Sequence, residues 1–307
     1  MKNNDAIDQL ALCDSPTKEE VTLIQKGLEN YNKEQTNGEI DNPGIEINLV
    51  VKDTKGDVVG GLAVSTMIRV MHLESFWVAK EHRKRGYGRE LVLEAERIGR
   101  EKGCITSQTM TFSFQAPEFY QKIGYTLIGI YDGYRHGITE SILIKRLQYL
   151  DNDSTNSDRD SGRFSIVENA PEKEMEIVHA GLHEHFYENV EREPKVDIQL
   201  VVRDHTGKAV GDLLGGSVIG IMYIEHLWLD EQYRGLGYGK KLVMEAERIA
   251  KENGLVAVQT WSPSFQAPEF FQKLGYKVYA TADSYPDPIK EYHFIKKFSN
   301  GSSALQT

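Results

Sequence analysis

Cysteine is scarce in this chain. Two cysteines, Cys13 and Cys104, occur among 307 residues, and they lie at unrelated places. In a long internal repeat described below, the counterpart of Cys104 is Leu255, which indicates a small buried hydrophobic residue rather than a nucleophile. The sequence therefore predicts neither a disulfide nor a metal site.

Long apolar runs are missing as well. No stretch approaches the roughly 20 apolar residues that a membrane-spanning helix needs. The opening residues, 1–12, lack the apolar region of a secretory signal. We therefore expect a cytoplasmic protein that has no membrane partner.

Positive charge is in deficit. The 36 lysines and arginines are outnumbered by 46 aspartates and glutamates, which gives a formal net charge of -10. Nucleic acid binding needs a positive field, so this balance argues against nucleic acid as a general partner. A local basic loop does occur at residues 83–85.

What the chain does contain is a long repeat. Residues 73–125 carry LESFWV, RKRGYG and SFQAPEFYQKIGY in that order, and residues 224–276 return with IEHLWL, RGLGYG and SFQAPEFFQKLGY. Matched positions such as Gly86 and Gly237 are 151 residues apart. A repeat of this length indicates two whole domains that arose by internal duplication.

The boundary between the two domains is marked by composition. Residues 151–162 read DNDSTNSDRDSG and contain no apolar residue, so they cannot bury enough surface to pack. The sequence predicts an N-terminal domain at 1–150, a linker at 151–162 and a C-terminal domain at 163–299.

Each copy shows the same order of predicted elements. A helix at 17–33, with Ser15 and Pro16 as cap signals, is followed by a hairpin, a third strand and a glycine loop. A helix at 88–102, a strand, a short helix at 116–123 and two closing strands complete the copy. The fold class is therefore α/β, or α+β, with a mixed sheet.

The glycine loops are suited to phosphate. Each lies between a strand and the start of a helix, where glycine lets backbone approach a ligand and free amides point at an anion. The spacing is neither the Rossmann GxGxxG fingerprint nor a P-loop. The candidate phosphate-binding residues are Arg83, Lys84, Arg85, Gly86, Tyr87 and Gly88 in the first copy and Arg234, Gly235, Leu236, Gly237, Tyr238 and Gly239 in the second.

Two motifs give the sequence a family resemblance. The glycine loop after a hydrophobic strand resembles motif A of the GNAT family of acetyl-coenzyme A dependent N-acetyltransferases. Ala116, Phe119, Tyr120, Gly124 and Tyr125 match the second signature of that family, A-x-x-[FL]-Y-x-x-x-G-[FY]. The resemblance covers both copies and implies two tandem GNAT domains with acetyl-CoA as cofactor.

The resemblance also implies where the cofactor lies. Its pantetheine arm would run between two splayed strands, bonded to backbone near Val78 and Leu229. Many relatives have asparagine where this chain has Ser113 and Ser264, so a weaker side-chain contact is expected there.

Acetyl transfer needs a neutral amine, and a free alkyl ammonium with a pKa of about 10.4 is protonated at neutral pH. His72 and Glu74 lie two apart on the strand before the loop and share one face, as do Tyr223 and Glu225. We expect Glu74 and Glu225 to act as general bases with His72 as a helper, while a solvent-facing or paired glutamate is the alternative.

The two copies differ at the position that often protonates the departing thiolate in this family. Tyr120 occupies it in the first copy, and Phe271, which has no hydroxyl, occupies it in the second. Either the first domain is the main catalyst or both domains work without this tyrosine; the first domain is favoured.

The acceptor is expected to be a small-molecule or peptide amine. Residues 131–136 and 283–288, between the closing strands, are expected to shape its pocket, and they differ between copies. The predicted activity is acetyl transfer to a primary amine by direct attack with general-base help. The alternative is an acetyl-CoA-binding sensor or scaffold, and in either case a monomer whose two domains mimic a dimer is expected.

Overall fold

The computed structural model describes residues 11–13, 17–36, 38, 44–147 and 164–298. These residues form two seven-stranded mixed sheets with helices on their faces, which confirms the predicted fold class. The predicted linker, 151–162, and the predicted cap residues Ser15 and Pro16 lie outside the described residues. Below, the first half is the chain before that linker and the second half is the chain after it.

The first sheet contains six strands of the first half and one of the second. Its members are β2 (Ile47–Asp53), β3 (Val58–Met67), β4 (Val70–Val78), β5 (Thr106–Phe112), β6 (Thr126–Tyr131), β7 (Glu140–Arg146) and β8 (Phe164–Glu168). The spatial order is β6-β7-β5-β4-β3-β2-β8. β4 and β5 run parallel, and the other neighbours are antiparallel.

The second sheet repeats this plan. Its members are β1 (Ala11–Cys13), β9 (Asp197–Arg203), β10 (Ala209–Val218), β11 (Ile221–Leu229), β12 (Ala257–Pro263), β13 (Lys277–Ala282) and β14 (Glu291–Lys297). The spatial order is β1-β9-β10-β11-β12-β14-β13, with β11 and β12 parallel.

In the described residues, six α-helices accompany the sheets: α1 (Lys18–Gln35), α2 (Tyr87–Glu101), α3 (Pro117–Lys122), α4 (Glu172–Asn189), α5 (Tyr238–Glu252) and α6 (Glu269–Lys273). The predicted helices agree with them to within about two residues. The predicted cap of α1 is wrong, because Thr17 is the N-cap. Thr17 has Glu20 three residues later, and the two side chains close a capping box.

The first strand and the first helix of each half pack with the sheet of the other half. β1 pairs with β9 in the second sheet, and β8 pairs with β2 in the first. Helix α1 packs on β10 and β11, and α4 packs on β2, β3 and β4. The predicted domains at 1–150 and 163–299 thus describe the repeat in the sequence. Among the described residues, one packing unit comprises 44–147 with 164–189, and the other comprises 11–13 and 17–36 with 197–298.

Apolar side chains of helices cover both faces of each sheet. On one face of the first sheet, α2 buries Leu91, Val92 and Ala95 against the strands. On the opposite face, Met175 and Val178 of α4 pack with Val50. The second sheet is covered in the same way by α5 on one face and by Ile24 of α1 on the other.

In each exchanged helix, a glycine packs against a tryptophan of the other half. A Cβ on Gly27 of α1 would lie 2.4 Å from Cζ2 of Trp228, and a Cβ on Gly181 of α4 would lie 2.2 Å from Cε2 of Trp77. The absence of a side chain therefore lets both helices lie directly on the indole rings. Sequence alone gave no reason for glycine within these helices.

Ion pairs join the same surfaces. Arg203 of β9 donates to both carboxylate oxygens of Glu20 at 2.6 and 2.8 Å. In the first sheet, Lys52 Nζ lies 2.7 Å from Glu174 Oε1 of α4. Side chains at these sites are about one fifth exposed, so the two-pronged Glu20–Arg203 pair is the stronger of the two.

We predict that Gly27→Ala and Gly181→Ala each destabilise the protein by about 1–3 kcal/mol through overpacking against tryptophan. In an uncrowded helix the same change stabilises by about 1 kcal/mol, so the sign of the effect is diagnostic. Denaturant titration measures it, with Lys26→Ala on the exposed side of α1 as control. A gain in stability in the glycine variants would show that the helices pack elsewhere.

Candidate active site

The parallel strands of each sheet separate after a short pairing. Among the described residues, β4 pairs with β5 through Val70–His72, and β11 pairs with β12 through Ile221–Tyr223. The strands continue to Val78 and Leu229, so a wedge-shaped gap opens between them. We call the gap in the first sheet the first centre and the gap in the second sheet the second centre.

The glycine loops lie at the open end of each gap. Gly86 and Gly237 are the N-caps of α2 and α5 and have φ of 94° and 87°, a left-handed conformation that favours glycine. A Cβ on Gly88 would lie 2.8 Å from Cζ of Phe76. Gly86 and Gly237 are exposed at the start of their helices, where free amides and the positive end of the helix dipole favour an anion such as a pyrophosphate.

The basic residues of the loops have two different roles in the structure. Arg83 Nε donates to the Val78 carbonyl at 2.9 Å, and Arg234 Nε donates to the Leu229 carbonyl at 2.8 Å. These arginines thus brace the loop against the end of the strand. Lys84 and Arg85 are exposed, as are Gly235 and Leu236 in the second loop.

The predicted loop tyrosines point away from the loop surface. Tyr87 is 6% exposed and packs against Phe164 of β8, with ring centroids 4.8 Å apart. Tyr238 is likewise buried in the core of the second sheet. Their contribution to an anion site is therefore the backbone amide rather than the side chain. Gly239, like Gly88, gives the first turn a close approach to an aromatic ring, that of Phe270.

The predicted serines lie directly after the second strand that borders each gap. Ser113 and Ser264 follow β5 and β12, and their hydroxyls accept from the amides of Thr139 and Lys290 at 3.3 and 3.2 Å. Each serine also donates its own amide to the same residue. They tie the gap strand to the lead-in of the next strand, and each hydroxyl keeps its proton available for donation.

A β-bulge places the predicted glutamates. Ala63 pairs with Ser75 and Val64 with Leu73, which leaves Glu74 as the extra residue of β4. Glu225 is the extra residue of β11 in the same way. Both side chains are exposed at the edge of the gap. Bulges occur often beside active sites because they re-aim side chains.

Glu74 and His72 lie on the same face of the first sheet, as the sequence predicts. Ser65 donates to Glu74 Oε1 at 2.6 Å, and the backbone of Ser65 pairs with His72. Burial lowers the pKa of His72, and the negative charges of Glu291 and Glu74, which raise it, offset this effect only in part. Its Nε2 has no hydrogen-bond partner among the described residues. His72 is thus a neutral imidazole with a free ring nitrogen.

Tyr223 takes the place of His72 in the second centre. Burial raises its pKa, with Glu140 and Tyr279 adding to the effect, so the phenol stays protonated at neutral pH. Glu225 has Gly216 where Glu74 has Ser65, and the hydroxyl contact is lost. The two centres therefore differ in residue type at the first of these positions, and in the contact of the glutamate at the second.

Tyr120 and Phe271 occupy equivalent buried positions. Tyr120 is 4% exposed, and burial raises its pKa, partly offset by a hydrogen bond with Thr109 of β5. Phe271 is 6% exposed and packs among apolar and aromatic side chains of the second core. Tyr120 therefore keeps its proton at neutral pH and holds its hydroxyl beside the strand that borders the gap.

Each centre contains side chains from the other half. In the first, Gln108 of β5 donates to Glu291 Oε1 at 2.6 Å and accepts from Ser284 Oγ at 2.6 Å. Tyr285 donates to Glu291 Oε2 at 2.8 Å, and His293 Nε2 lies 2.7 Å from Glu291 Oε1. The segments between the closing strands, which the sequence assigned to the acceptor pocket, thus cross to the opposite sheet.

The second centre has the corresponding cluster. Tyr134 donates to Glu140 Oε2 at 2.9 Å, and Gln259 of β12 donates to the same oxygen at 3.0 Å. Tyr279 is the further contact of Gln259. Here the second half supplies the strand and the first half supplies the tyrosine and the glutamate.

The two buried glutamates titrate in opposite directions. Burial raises the pKa of Glu140 in spite of its hydrogen bonds from Gln259 and Tyr134. Burial also disfavours ionised Glu291, but the hydrogen bond and charge of His293, with the hydrogen bond from Gln108, outweigh it and lower the pKa of Glu291 to about 2. Ile142 replaces His293 in the first half, which explains the difference.

Sequence reasoning missed Gln108, Glu140, Gln259, Glu291 and His293. A signal existed for four of them: a glutamine and a glutamate within apolar strands recur at the same places in both copies. A polar residue kept on a buried strand needs a partner. The pattern does not show that the partner comes from the other half, and His293 has no counterpart to reveal it.

Cys104 is a free, buried thiol. In residues 11–13, 17–36, 38, 44–147 and 164–298, no group of three or more metal-ligating side chains comes together. No helix in those same ranges is long and apolar enough to cross a membrane.

The chain is similar to known acetyltransferases. It is 40% identical over 94 residues to blasticidin-S acetyltransferase of Streptomyces morookaense, which spans 30% of this chain and 69% of that protein. It is 27% identical over 84 residues to acetyltransferase Atu2258 of Agrobacterium fabrum, spanning 27% of this chain and 61% of that protein, less than two thirds of its length.

A solved structure of an acetyltransferase from Bacillus cereus is 32% identical, with a TM-score of 0.41, and the match covers 43% of this chain and 96% of that one. The family model for acetyltransferases of the GNAT family matches residues 10–125 and again residues 165–276. This confirms the resemblance seen in the two motifs, and acetyl-CoA is the cofactor of that family. The chain therefore belongs to the GNAT acetyltransferase family and is a GNAT-type N-acetyltransferase that carries the family domain twice.

Proposed function

We propose that the protein transfers the acetyl group of acetyl-CoA to a primary amine, with the first centre as the main catalyst. The observation that supports it best is the first centre itself. There a separated strand pair, an outward-facing glycine loop, a neutral His72 and a protonated Tyr120 border one gap. Acetyl-CoA supplies an activated acyl group on a thioester when it is bound.

The residues of the loop would hold the cofactor. The amides from Gly86 to Gly88 would bind the pyrophosphate, aided by the α2 dipole and by exposed Lys84 and Arg85. The unpaired part of β4, ending at Val78, would align the pantetheine arm, and Ser113 would offer its hydroxyl. The same positions of the second loop, with Leu229 and Ser264, would serve the second centre.

Proton movement follows from the environments of three side chains. Glu74, exposed on the bulge, would remove a proton from the acceptor ammonium and pass it to solvent. His72, on the same face, would assist through its free Nε2. Tyr120, whose pKa is raised by burial, would donate its proton to the departing thiolate.

The acceptor is proposed to be a small molecule that carries an amine. Blasticidin-S is named as the substrate of one relative, and it is a rational first amine to test here. The region that would contact the acceptor lies between the first sheet and the second half, near Tyr285. Its chemistry is set by Glu291, His293 and Gln108 rather than by the net charge of the chain.

We expect calorimetric titration of acetyl-CoA to show two sites, one lost in Gly86→Val and the other lost in Gly237→Val. Valine cannot adopt the left-handed backbone of these N-caps without strain. Gly56→Val is the matched control, because Gly56 has φ of 88° in the β2–β3 turn and no neighbour near its Cβ. Full binding by both loop variants would refute the assigned loops.

We expect Glu74→Gln together with Glu225→Gln to lower the rate of transfer by about 10²–10⁴-fold, the usual contribution of a general base. Acetyl-CoA affinity should not change, since neither side chain belongs to the loops. Steady-state kinetics and calorimetry on the same samples separate the two effects. An unchanged rate would remove both glutamates from the mechanism.

We expect Tyr120→Phe to lower kcat by at least about 10-fold by removing the proton donor for the thiolate. The variant should stay folded, because Phe271 fills the same position in the second half. Phe271→Tyr is its counterpart and should not lower kcat. Equal rates for wild type and Tyr120→Phe would show that Tyr120 is a core aromatic residue only.

A further inference from the structure

The second half carries a buried acid–imidazole pair that its counterpart lacks. His226 Nδ1 lies 2.8 Å from Asp212 Oδ1, Asp212 is fully buried, and the His226 side chain is 13% exposed. The first half has Ser75 and Gly61 at these two positions. The pair is therefore specific to the second centre, and comparison of the repeats cannot reveal it.

The β-bulge brings His226 to the face that borders the second gap. Glu225 is the extra residue of β11, so two successive residues, Glu225 and His226, oppose one residue of β10. His226 lies in the part of β11 that has already parted from β12, between Tyr223 and Leu229. His226 thus comes directly after Glu225, the glutamate that the sequence predicts to be a general base.

The partner carboxyl is fixed from the neighbouring strand. Asp212 of β10 pairs with Trp228 on one side and Val201 on the other, which makes it a diagonal neighbour of His226. Val201 and Trp228 both pack against Ile24 of α1, so the pair lies on the face that α1 covers. Burial raises the pKa of Asp212, and His226 opposes this rise.

Helix α1 also reaches across the second gap. Its Gly27 lies on Trp228 of β11, and its Tyr31 donates to the carbonyl of Phe265 beyond β12 at 3.0 Å. Asn32 accepts from Gln266 at 2.5 Å. Helix α1 therefore spans from β11 to the segment after β12, on the sheet face that carries His226 and Asp212.

The polar atoms of the pair are buried, and the 2.8 Å approach of Nδ1 to Oδ1 is the contact that joins them. His226 Nε2 and Asp212 Oδ2 have no hydrogen-bond partner among the described residues. A buried polar atom left unpaired costs about 1–3 kcal/mol, which makes such an atom a candidate for contact with a ligand. With Nδ1 oriented toward Asp212, Nε2 is the nitrogen that can accept a proton.

We propose that His226, oriented by Asp212, is the proton acceptor of the second centre and takes the proton of the acceptor amine at Nε2. The proposal rests on the proposed acetyl transfer. The amine proton moves to Nε2, and the resulting imidazolium is stabilised by the Asp212 carboxylate. Glu225, exposed and adjacent to His226, would pass the proton from Nε2 to solvent, so both glutamates keep a role in proton removal. The first centre uses His72 and Glu74 for the same purpose.

The test uses the intact chain and needs no knowledge of the natural acceptor. Bromoacetyl-CoA carries an electrophilic carbon at the acetyl position; a free imidazole nitrogen there displaces bromide, forms an N–C bond and yields a stable adduct. Peptide mapping by mass spectrometry should find the label on His226. Excess CoA and Gly237→Val should both suppress that label.

The variants separate orientation from folding. Asp212→Asn should slow labelling of His226 by about 10-fold or more and leave any labelling in the first half unchanged. His226→Ser and Asp212→Gly reproduce the residues of the first half, so the sheet is expected to accept them. With blasticidin S as the probe amine in a Gly86→Val background, His226→Ser should lower transfer by about 10²-fold or more.

Three results would overturn the proposal. One is a second loop that binds CoA while His226 is never labelled. Another is equal labelling in wild type and Asp212→Asn. The last is a second loop that binds no CoA at all, because a proton acceptor would then have no cofactor beside it. The acetyl transfer proposed for the first centre is tested separately. It would be contradicted by a chain with intact Gly86 that shows no turnover.

Discussion

The packing of a glycine-containing helix from one half on a tryptophan of the other half is the contact on which the rest of this structure depends. The part of each sheet face that surrounds the indole is apolar and must be covered. The covering helix comes from the opposite half in both cases, at Gly27 on Trp228 and at Gly181 on Trp77. Each gap is consequently bordered by strands of one half, and the helix on that sheet face comes from the other half.

This arrangement lets one protein hold two chemically different centres. The exchanged segments and the crossing loops make every centre a composite, so a change in one half alters the surroundings of the other. His293 shows this most clearly. It ionises Glu291 at the first centre, whereas at the second the equivalent Glu140 has only neutral hydrogen-bond donors and stays protonated more readily.

Much of the fold, including the position of the glycine loops between strand and helix, could be predicted from sequence, because the signals are local. The glycine loops, the helix starts and the alternating strands depend on residues close together in the chain, and they fall where the patterns placed them. The exchange of β1, α1, β8 and α4 could not be predicted. Both the exchanged and the unexchanged arrangements bury the same apolar faces, and no local pattern distinguishes them.

The site was harder to predict than the fold for a second reason. Comparison of the two copies directs attention to what they share, such as Glu74 with Glu225. The pair of Asp212 and His226 is visible only where the copies differ, and the bond between them joins two strands. Its recognition required the register of β10 against β11 and the position of the bulge.

Cleavage between the two halves tests whether they are intertwined. A protease site placed within residues 151–162 of the intact chain would allow that link to be cut after folding. We predict that the two fragments stay together in gel filtration under native conditions, because each completes the sheet of the other. Fragments that separate and remain folded as independent domains would contradict it.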